Sequence, residues 1–418
     1  MLTVNGQRLW NSLMDMAEVG ATAAGGNCRL ALSAEDFAGR ALFADWCHQA
    51  GMSLDTDAIG NLFARRAGRT PQAEPVVMGS HLDTQPAGGR FDGTYGVLAG
   101  LEVVRSLNDA GITTDRPLEI AVWTNEEGAR FTPAMLGSAT FCGVVPLANA
   151  LAIEDAQGIS VATALAGQAG NLPLGRRFAA YFEAHIEQGP ILEQAGLPIG
   201  VVTGGQAICW LDVLVSGRPA HAGTTPMRLR RDALFAASAM ISQLEQLANA
   251  FGPHGLVTVG QLLIPGASRN TVPGQVRFTV DLRHPQDAQI HAMEESTRRV
   301  LQQLAAQRGL TVNIQQHWFS AATPFDRDCI AAVRQAVTAL GYPHQEMVSG
   351  AGHDAIHLAR HCPSAMIFVP CVDGLSHNEA EDALPDDLRM GADVLLGAVL
   401  AQAGGQTIPT VSSWASST

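Results

Sequence analysis

Four short segments of this 418-residue sequence gather the side chains that bind cations and move protons. GSHLDTQPAGGRFDG carries His81, Asp83 and Asp92, TNEEGARF carries Glu126 and Glu127, EAHIEQGP carries His185, and DGLSHNEAE carries His377. Imidazole and carboxylate donors without a thiolate suit zinc, and also manganese, cobalt or nickel. Three histidines and two acidic positions exceed what one catalytic ion with an open position can use. They match two ions about 3.5–4 Å apart that share a carboxylate. Asp92, short and beside glycines at an expected helix start, is the natural bridge. Asp83, two residues from His81, is placed to accept that ring's second N–H. Adjacent side chains leaving a strand point apart. One of Glu126 and Glu127 is therefore expected to bind metal, while the other faces the water and carries its proton to a leaving nitrogen.

Each segment follows an apolar run that reads as a buried strand. PVVMG (75–79) precedes His81, LEIAVW (118–123) precedes the glutamates, RFAAYFEA precedes His185, and SAMIFVPC (364–371) precedes His377. Between the first two runs, Val97, Leu98, Leu101, Val104 and Leu107 share one helical face, with Asp92 at the cap position and Gly111 at the end. Alternation of this kind predicts an α/β fold with a mainly parallel sheet, whose ligands bind outside the carboxyl ends of the strands. The middle of the chain reads differently. ICWLDVLVSG, RRDALFAASAMISQLEQLANA, GLVTVGQLLI, QVRFTVDLR, DAQIHAMEESTRRVLQQLAAQRG and LTVNIQQHW follow the order β-α-β-β-α-β of a small ferredoxin-like domain. The expected layout is a catalytic domain in two segments, 1–206 and 319–418, interrupted by an inserted domain at 207–318. A last helix is expected over about 386–403, with Asp386–Asp387 at its start.

Composition narrows the function. A net charge of −13 argues against nucleic acid and against an anionic membrane surface. No apolar run approaches the roughly 18 residues of a membrane span. The N-terminus lacks the basic lead and apolar core of a signal peptide. The seven cysteines are scattered with no C-x-x-C pair, so a cytoplasmic enzyme is expected. The sequence contains no lysine, which removes P-loop, Schiff-base and pyridoxal chemistry and leaves arginine every cationic role.

Taken together, GNLFAR, GSHLDTQPAGGRFDG, TNEEGARF, EAHIEQGP, HAGTTPM, NTVPG, DLRH, GAGHDA and GLSHNEAE resemble the metal-dependent aminoacylase/carboxypeptidase superfamily. Within it they resemble the branch of N-carbamoyl-L-amino-acid hydrolases, β-ureidopropionases and allantoate amidohydrolases. The likeness runs from about residue 60 to about 383, and the first 55 residues carry little of it. It implies that His81, Asp92 and His185 hold one ion, that Glu127, His377 and the shared Asp92 hold the other, and that Glu126 is the general base. It also implies a homodimer built through the inserted lid domain, with His221 reaching a partner subunit's site to stabilise the oxyanion. Asn270 and Arg283 would bind the substrate carboxylate, and Gln188 and His353 would line the ureido end. Superfamily peptidases generally carry a carboxylate where this chain has His185, which favours a small-molecule ureido substrate. The expected reaction converts an N-carbamoyl-L-amino acid, or N-carbamoyl-β-alanine, to amino acid, CO₂ and ammonia. Its rivals are allantoate hydrolysis, N-acyl-amino-acid or dipeptide hydrolysis, and a non-catalytic ligand-binding relative. Presence of every ligand and of Glu126 argues against the last. His48, His254, His291, His317 and His344, and the i,i+4 pair His357 and His361, read as structural.

Overall fold

The runs Val76–His81, Leu118–Trp123, Ala180–Ile186 and Ser364–Val369 are strands buried along their whole length. Strands with no polar face need cover on both sides, which crossover helices give a parallel sheet. They pair in parallel in the order 118–123, 76–81, 180–186, 364–369. His81 lies level with Trp123, and Phe368 with His185, so the carboxyl ends open along one edge of the sheet. Antiparallel strands finish both sides: Leu62–Arg66 and Ser53–Thr56 beyond 118–123, and Ile199–Gly205 beyond 364–369. The fold is mixed α/β with a mainly parallel central sheet.

The computed structural model describes residues 2–404 and 406–407. They divide into two units, one built from the chain up to Gly204 and again from Pro324, the other from Gly205–Thr323. The final residues of the expected 319–418 segment lie outside the described residues. In the first unit, helix Thr94–Asp109 is buried over almost every turn and lies against strand Val76–His81. Its cap is Gly93, with no side-chain capping bond, not Asp92 as the sequence suggests. The Asp92 carboxylate is turned instead to the histidines. The last helix runs Pro385–Ala403.

In the second unit, strand Ala207–Ser216 alternates buried and more open residues, as a sheet covered on one face requires. Gln275–His284 and Thr311–Ser320 flank it antiparallel, and helices Ala233–Asn249 and Asp287–Gln307 share a core with it. The expected single strand GLVTVGQLLI is two short pieces, Leu256–Thr258 and Leu262–Leu263. Between them Gln261 N–H turns to the Thr279 hydroxyl, while its carbonyl still accepts the Thr279 N–H.

Candidate di-metal site

Strand Val76–His81 ends on His81, whose Nδ1 lies 2.8 Å from the main-chain carbonyl of Asp83. That bond puts the proton on Nδ1 and leaves Nε2 as a lone pair. The contact expected from the Asp83 carboxylate is made by its backbone. The carboxylate itself accepts the main-chain N–H groups of Glu126 and Glu127, each at 3.2 Å, and so holds the glutamate turn. His185 is fixed likewise, Nδ1 lying 2.8 Å from the Ile186 carbonyl.

Around Asp92 the nitrogens converge. Its Oδ1 lies 3.6 Å from His81 Nε2 and 3.2 Å from His185 Nε2, and its Oδ2 lies 3.5 Å from His377 Nε2. His377 Nε2 is also 3.4 Å from Glu127 Oε2. Two donors that each stand about 2.1 Å from a tetrahedral ion are about 3.4 Å apart, so these spacings fit a cation in each group. The groups are His81, Asp92, His185 and Asp92, Glu127, His377, with one Asp92 oxygen toward each. A third cluster, Glu183, His185 and His353, is also close-set. There Glu183 is already satisfied by Ser80, Tyr181 and the Ala355 N–H, and His185 Nδ1 is held by Ile186, so we read it as structural.

The charges fit the same reading. Burial holds the His81 pKa down to about 4 against the pull of Asp92, so its lone pair is available at neutral pH. Burial also disfavours a charged His185, yet the hydrogen bond and charge of Asp92 win and raise it to about 9, so without a cation its Nε2 holds a proton against Asp92, the place a cation would take. Burial alone would raise Asp92, but His185, His81 and His377 hold it well below the carboxylate range. Burial and neighbouring carboxylates push Glu126 and Glu127 well above theirs. Crowded buried anions with this appetite for positive charge are what cation binding relieves.

Three residues that sequence reasoning passed over brace the cluster. Glu381 accepts from the N–H groups of Phe91 and Asp92 at 2.9 and 3.1 Å. Ser376 Oγ lies 2.9 Å from both Asp92 Oδ2 and Glu381 Oε2, and its single proton is shared between the two carboxylates. Gln85 grips Glu127 through its main-chain N–H and its amide. All three stand inside those motifs, but a carboxylate, a hydroxyl and an amide at these positions carry no periodic signal.

His81, Asp92, Glu126, Glu127, His185, Gln188, His353 and His377 line one cavity of about 150 Å³. Glu126 Oε2 sits 3.4 Å from His81 Nε2. His377 is at the rim, its side chain 53% exposed. Gln188 has φ +58° and His377 φ +53°, left-handed conformations that non-glycine residues hold mainly where the surroundings demand them.

The chain belongs to peptidase family M20/M25/M40. That family's model matches residues 77–401. An N-carbamoyl-L-amino-acid amidohydrolase of Rhizobium meliloti is 46% identical over 95% of this chain and 96% of its own length. One from Geobacillus stearothermophilus is 40% identical over 96% and 100%. The crystal structure of a hydantoinase/carbamoylase family amidase from Burkholderia ambifaria superposes with TM-score 0.94 at 60% identity, covering 98% of this chain and 100% of that one.

The remaining residues named from the resemblance lie in the unit Gly205–Thr323. His221 pairs with Thr271 in a two-residue ladder, and Ala222 N–H donates to the Asn270 carbonyl, so His221 and Asn270 are neighbours. His221 Nδ1 accepts the N–H groups of Gly223 and Thr224 at 3.0 and 3.2 Å, which leaves the proton on Nε2 as a donor. Arg283 is the penultimate residue of its strand, which runs on to His284, with Nε and Nη2 2.9–3.1 Å from the Asp281 carboxylate two residues away on the same face.

Proposed function

We propose that this protein is a two-cation amidohydrolase that cleaves the ureido C–N bond of an N-carbamoyl-L-amino acid. The observation that carries the substrate class is Gln188. Its Nε2 donates to Asp92 Oδ2 at 2.8 Å and faces the Ser376 hydroxyl at 3.4 Å, which fixes the amide. Its Oε1 is therefore an acceptor, and it is buried without a partner, as is His353 Nε2. A buried polar atom left unmatched costs about 1–3 kcal/mol. A ureido NH₂ supplies the missing donor, whereas the methyl of an N-acetyl group does not. Sites built around such a bond reject the analogue that lacks it far more strongly than apolar pockets discriminate.

His81, Asp92 and His185 would hold one divalent cation, and Asp92, Glu127 and His377 the other. Zinc or manganese is proposed, with cobalt and nickel compatible with the donors. When bound, the pair would polarise the ureido carbonyl and acidify water. Glu126, buried and proton-hungry, takes the proton of the attacking water and returns it to the leaving amino nitrogen. The bond from the carbonyl carbon to that nitrogen breaks, and the carbamate left behind breaks down to CO₂ and ammonia, one water being consumed in all. His221, a donor by its tautomer, is proposed to steady the oxyanion from a partner subunit in a homodimer. Asn270, whose side-chain oxygen is taken by Ser268, and Arg283 are proposed for the substrate carboxylate. All seven cysteines are free, and among the described residues no helix is long and apolar enough to cross a membrane. A cytoplasmic location is proposed with the rest.

Protein reconstituted with zinc or manganese tests the reading. The substrates are N-carbamoyl-L-methionine, N-carbamoyl-β-alanine and allantoate, followed by ammonia, and N-acetyl-L-methionine, followed by free amine. The expected result is chelator-sensitive turnover of the first, with the acetyl compound slower by about 100-fold or more. Faster turnover of allantoate would move the substrate within the ureido class. Faster turnover of the acetyl compound would overturn the class.

A further inference from the structure

Arg29 lies in a stretch without metal-binding motifs, yet its side chain is wholly buried. Among the described residues no carboxylate hydrogen-bonds to it. Nε donates to the Leu82 carbonyl at 3.0 Å, and Nη1 faces the Met16 and Val19 carbonyls and Asn27 Oδ1 at 3.2, 2.9 and 2.8 Å. Nη2 donates to Thr94 Oγ1 at 2.9 Å. Burying a cation among neutral acceptors is costly, so its placement calls for a reason. Burial lowers its pKa to about 10, with Asp36 and Asp83 acting the other way, and the group stays charged at neutral pH.

What the guanidinium joins supplies the reason. Leu82 follows His81, and Thr94 opens a helix two residues after Asp92. One planar fork thus ties together the two points at which the His81–Asp92 loop leaves and re-enters regular structure. The backbone adds to this. Arg29 N–H donates to Thr84 Oγ1 at 2.8 Å, and Thr84 N–H returns to the Arg29 carbonyl at 2.9 Å. Asn27 and Gly88 exchange both main-chain bonds at 2.9 and 3.0 Å. Residues 27–29 therefore run along the loop between the two ligands like an added strand.

We propose that Arg29 is a positioning residue for the cation site, holding His81 and Asp92 at ligand spacing before any cation arrives. This rests on the two-cation reading above. The test is zinc affinity of the metal-free full chain, by competition with a chromogenic chelator, at a temperature where circular dichroism shows each variant folded. The wild-type chain is expected to take up two zinc ions. Arg29→Met should weaken the tighter one by at least about 10-fold, the range seen when groups behind metal ligands are lost. Arg29→Lys, which keeps the charge without the fork, should fall between. Thr94→Val, which removes one acceptor and keeps the side-chain shape, should shift affinity in the same direction, and it carries the test if Arg29→Met does not fold. Val337→Ala, a fully buried change in helix Arg327–Leu340, should lower Tm and leave zinc affinity within about 2-fold of wild type. Unchanged affinity in folded Arg29→Met or Thr94→Val, or an equal loss in Val337→Ala, would overturn the proposal. A wild-type chain that took up no zinc would overturn the two-cation reading itself.

Discussion

Replacing Gly93 with alanine isolates the geometry on which the site depends. Gly93 has φ +62°, and a Cβ built on it would lie 2.3 Å from Cε1 and Nε2 of His81 and 2.4 Å from Nδ1. Ordinary van der Waals contact begins near 3.4 Å, so the ring must retreat by about 1 Å or the Asp92–Gly93 backbone must shift by as much. A histidine–zinc bond is about 2.0–2.1 Å, and a displacement of that size takes the nitrogen out of coordination range. With ψ −49° the residue stands outside the left-handed helical well, in the γ-turn region that side chains rarely adopt, which adds roughly 1–3 kcal/mol for alanine. Loss of a group behind a ligand costs about 10–100-fold in metal affinity, and displacing the ligand itself should reach at least the upper end of that range. The assay is zinc affinity by chelator competition on the folded protein, with turnover of N-carbamoyl-L-methionine measured in the same samples. Gly100→Ala is the control: it lies on the same helix with no positive φ, and its Cβ would meet Met78 and Ile120 at 3.3–3.4 Å, a close contact relieved by a movement of a few tenths of an ångström away from the ligands. Gly100→Ala should bind zinc normally. A Gly93→Ala protein that bound two ions with wild-type affinity would refute the assignment of His81 and Asp92 as ligands.

Three further outcomes are expected. Gln188→Leu removes the buried acceptor, so kcat/KM for the ureido substrate should fall by about 10–100-fold while the acetyl substrate changes little; equal losses on both would argue against a recognition role. His357 is half-buried with its Nδ1 buried and unpartnered, and burial, with Arg360, lowers its pKa to about 4 from the usual 6.5. The unfolded chain binds that proton first, so the stability this group supplies is present above pH 6.5 and is lost as pH falls toward 4. The loss is about 2.5 kcal/mol by pH 4.5, and urea unfolding of His357→Leu should show a shallower acid decline by that amount. An inactive His221→Ala chain mixed with an inactive Glu126→Ala chain should regain partial ammonia release once subunits exchange. No recovery despite demonstrated exchange would remove His221 from a partner's site.

The parallel core was readable because a strand buried on both faces leaves an unbroken apolar run, and in such a sheet the chemistry collects at the carboxyl ends. His81, His185 and the glutamate pair stand at or just past those ends. What could not be read was where side chains turn after the strand stops. Asp83 serves the Glu126–Glu127 turn with its carboxylate, and it is its main-chain carbonyl that faces the His81 ring. Arg283 and Asp281 share a strand face at i,i+2, a contact that the alternation of side chains makes available from sequence. Glu381, Ser376 and Arg29 act across sequence separations of 53 to 290 residues, with no repeat or spacing to announce them.

The most direct test of the account is a cation titration of ammonia release. Metal-free wild-type and Glu126→Gln proteins receive zinc or manganese in steps, with N-carbamoyl-L-methionine as substrate and bound metal measured alongside. Wild-type turnover should rise until two equivalents are bound. Glu126→Gln should bind the same two and turn over about 100- to 10,000-fold more slowly. Full wild-type activity without bound cation, or undiminished activity in Glu126→Gln, would contradict it.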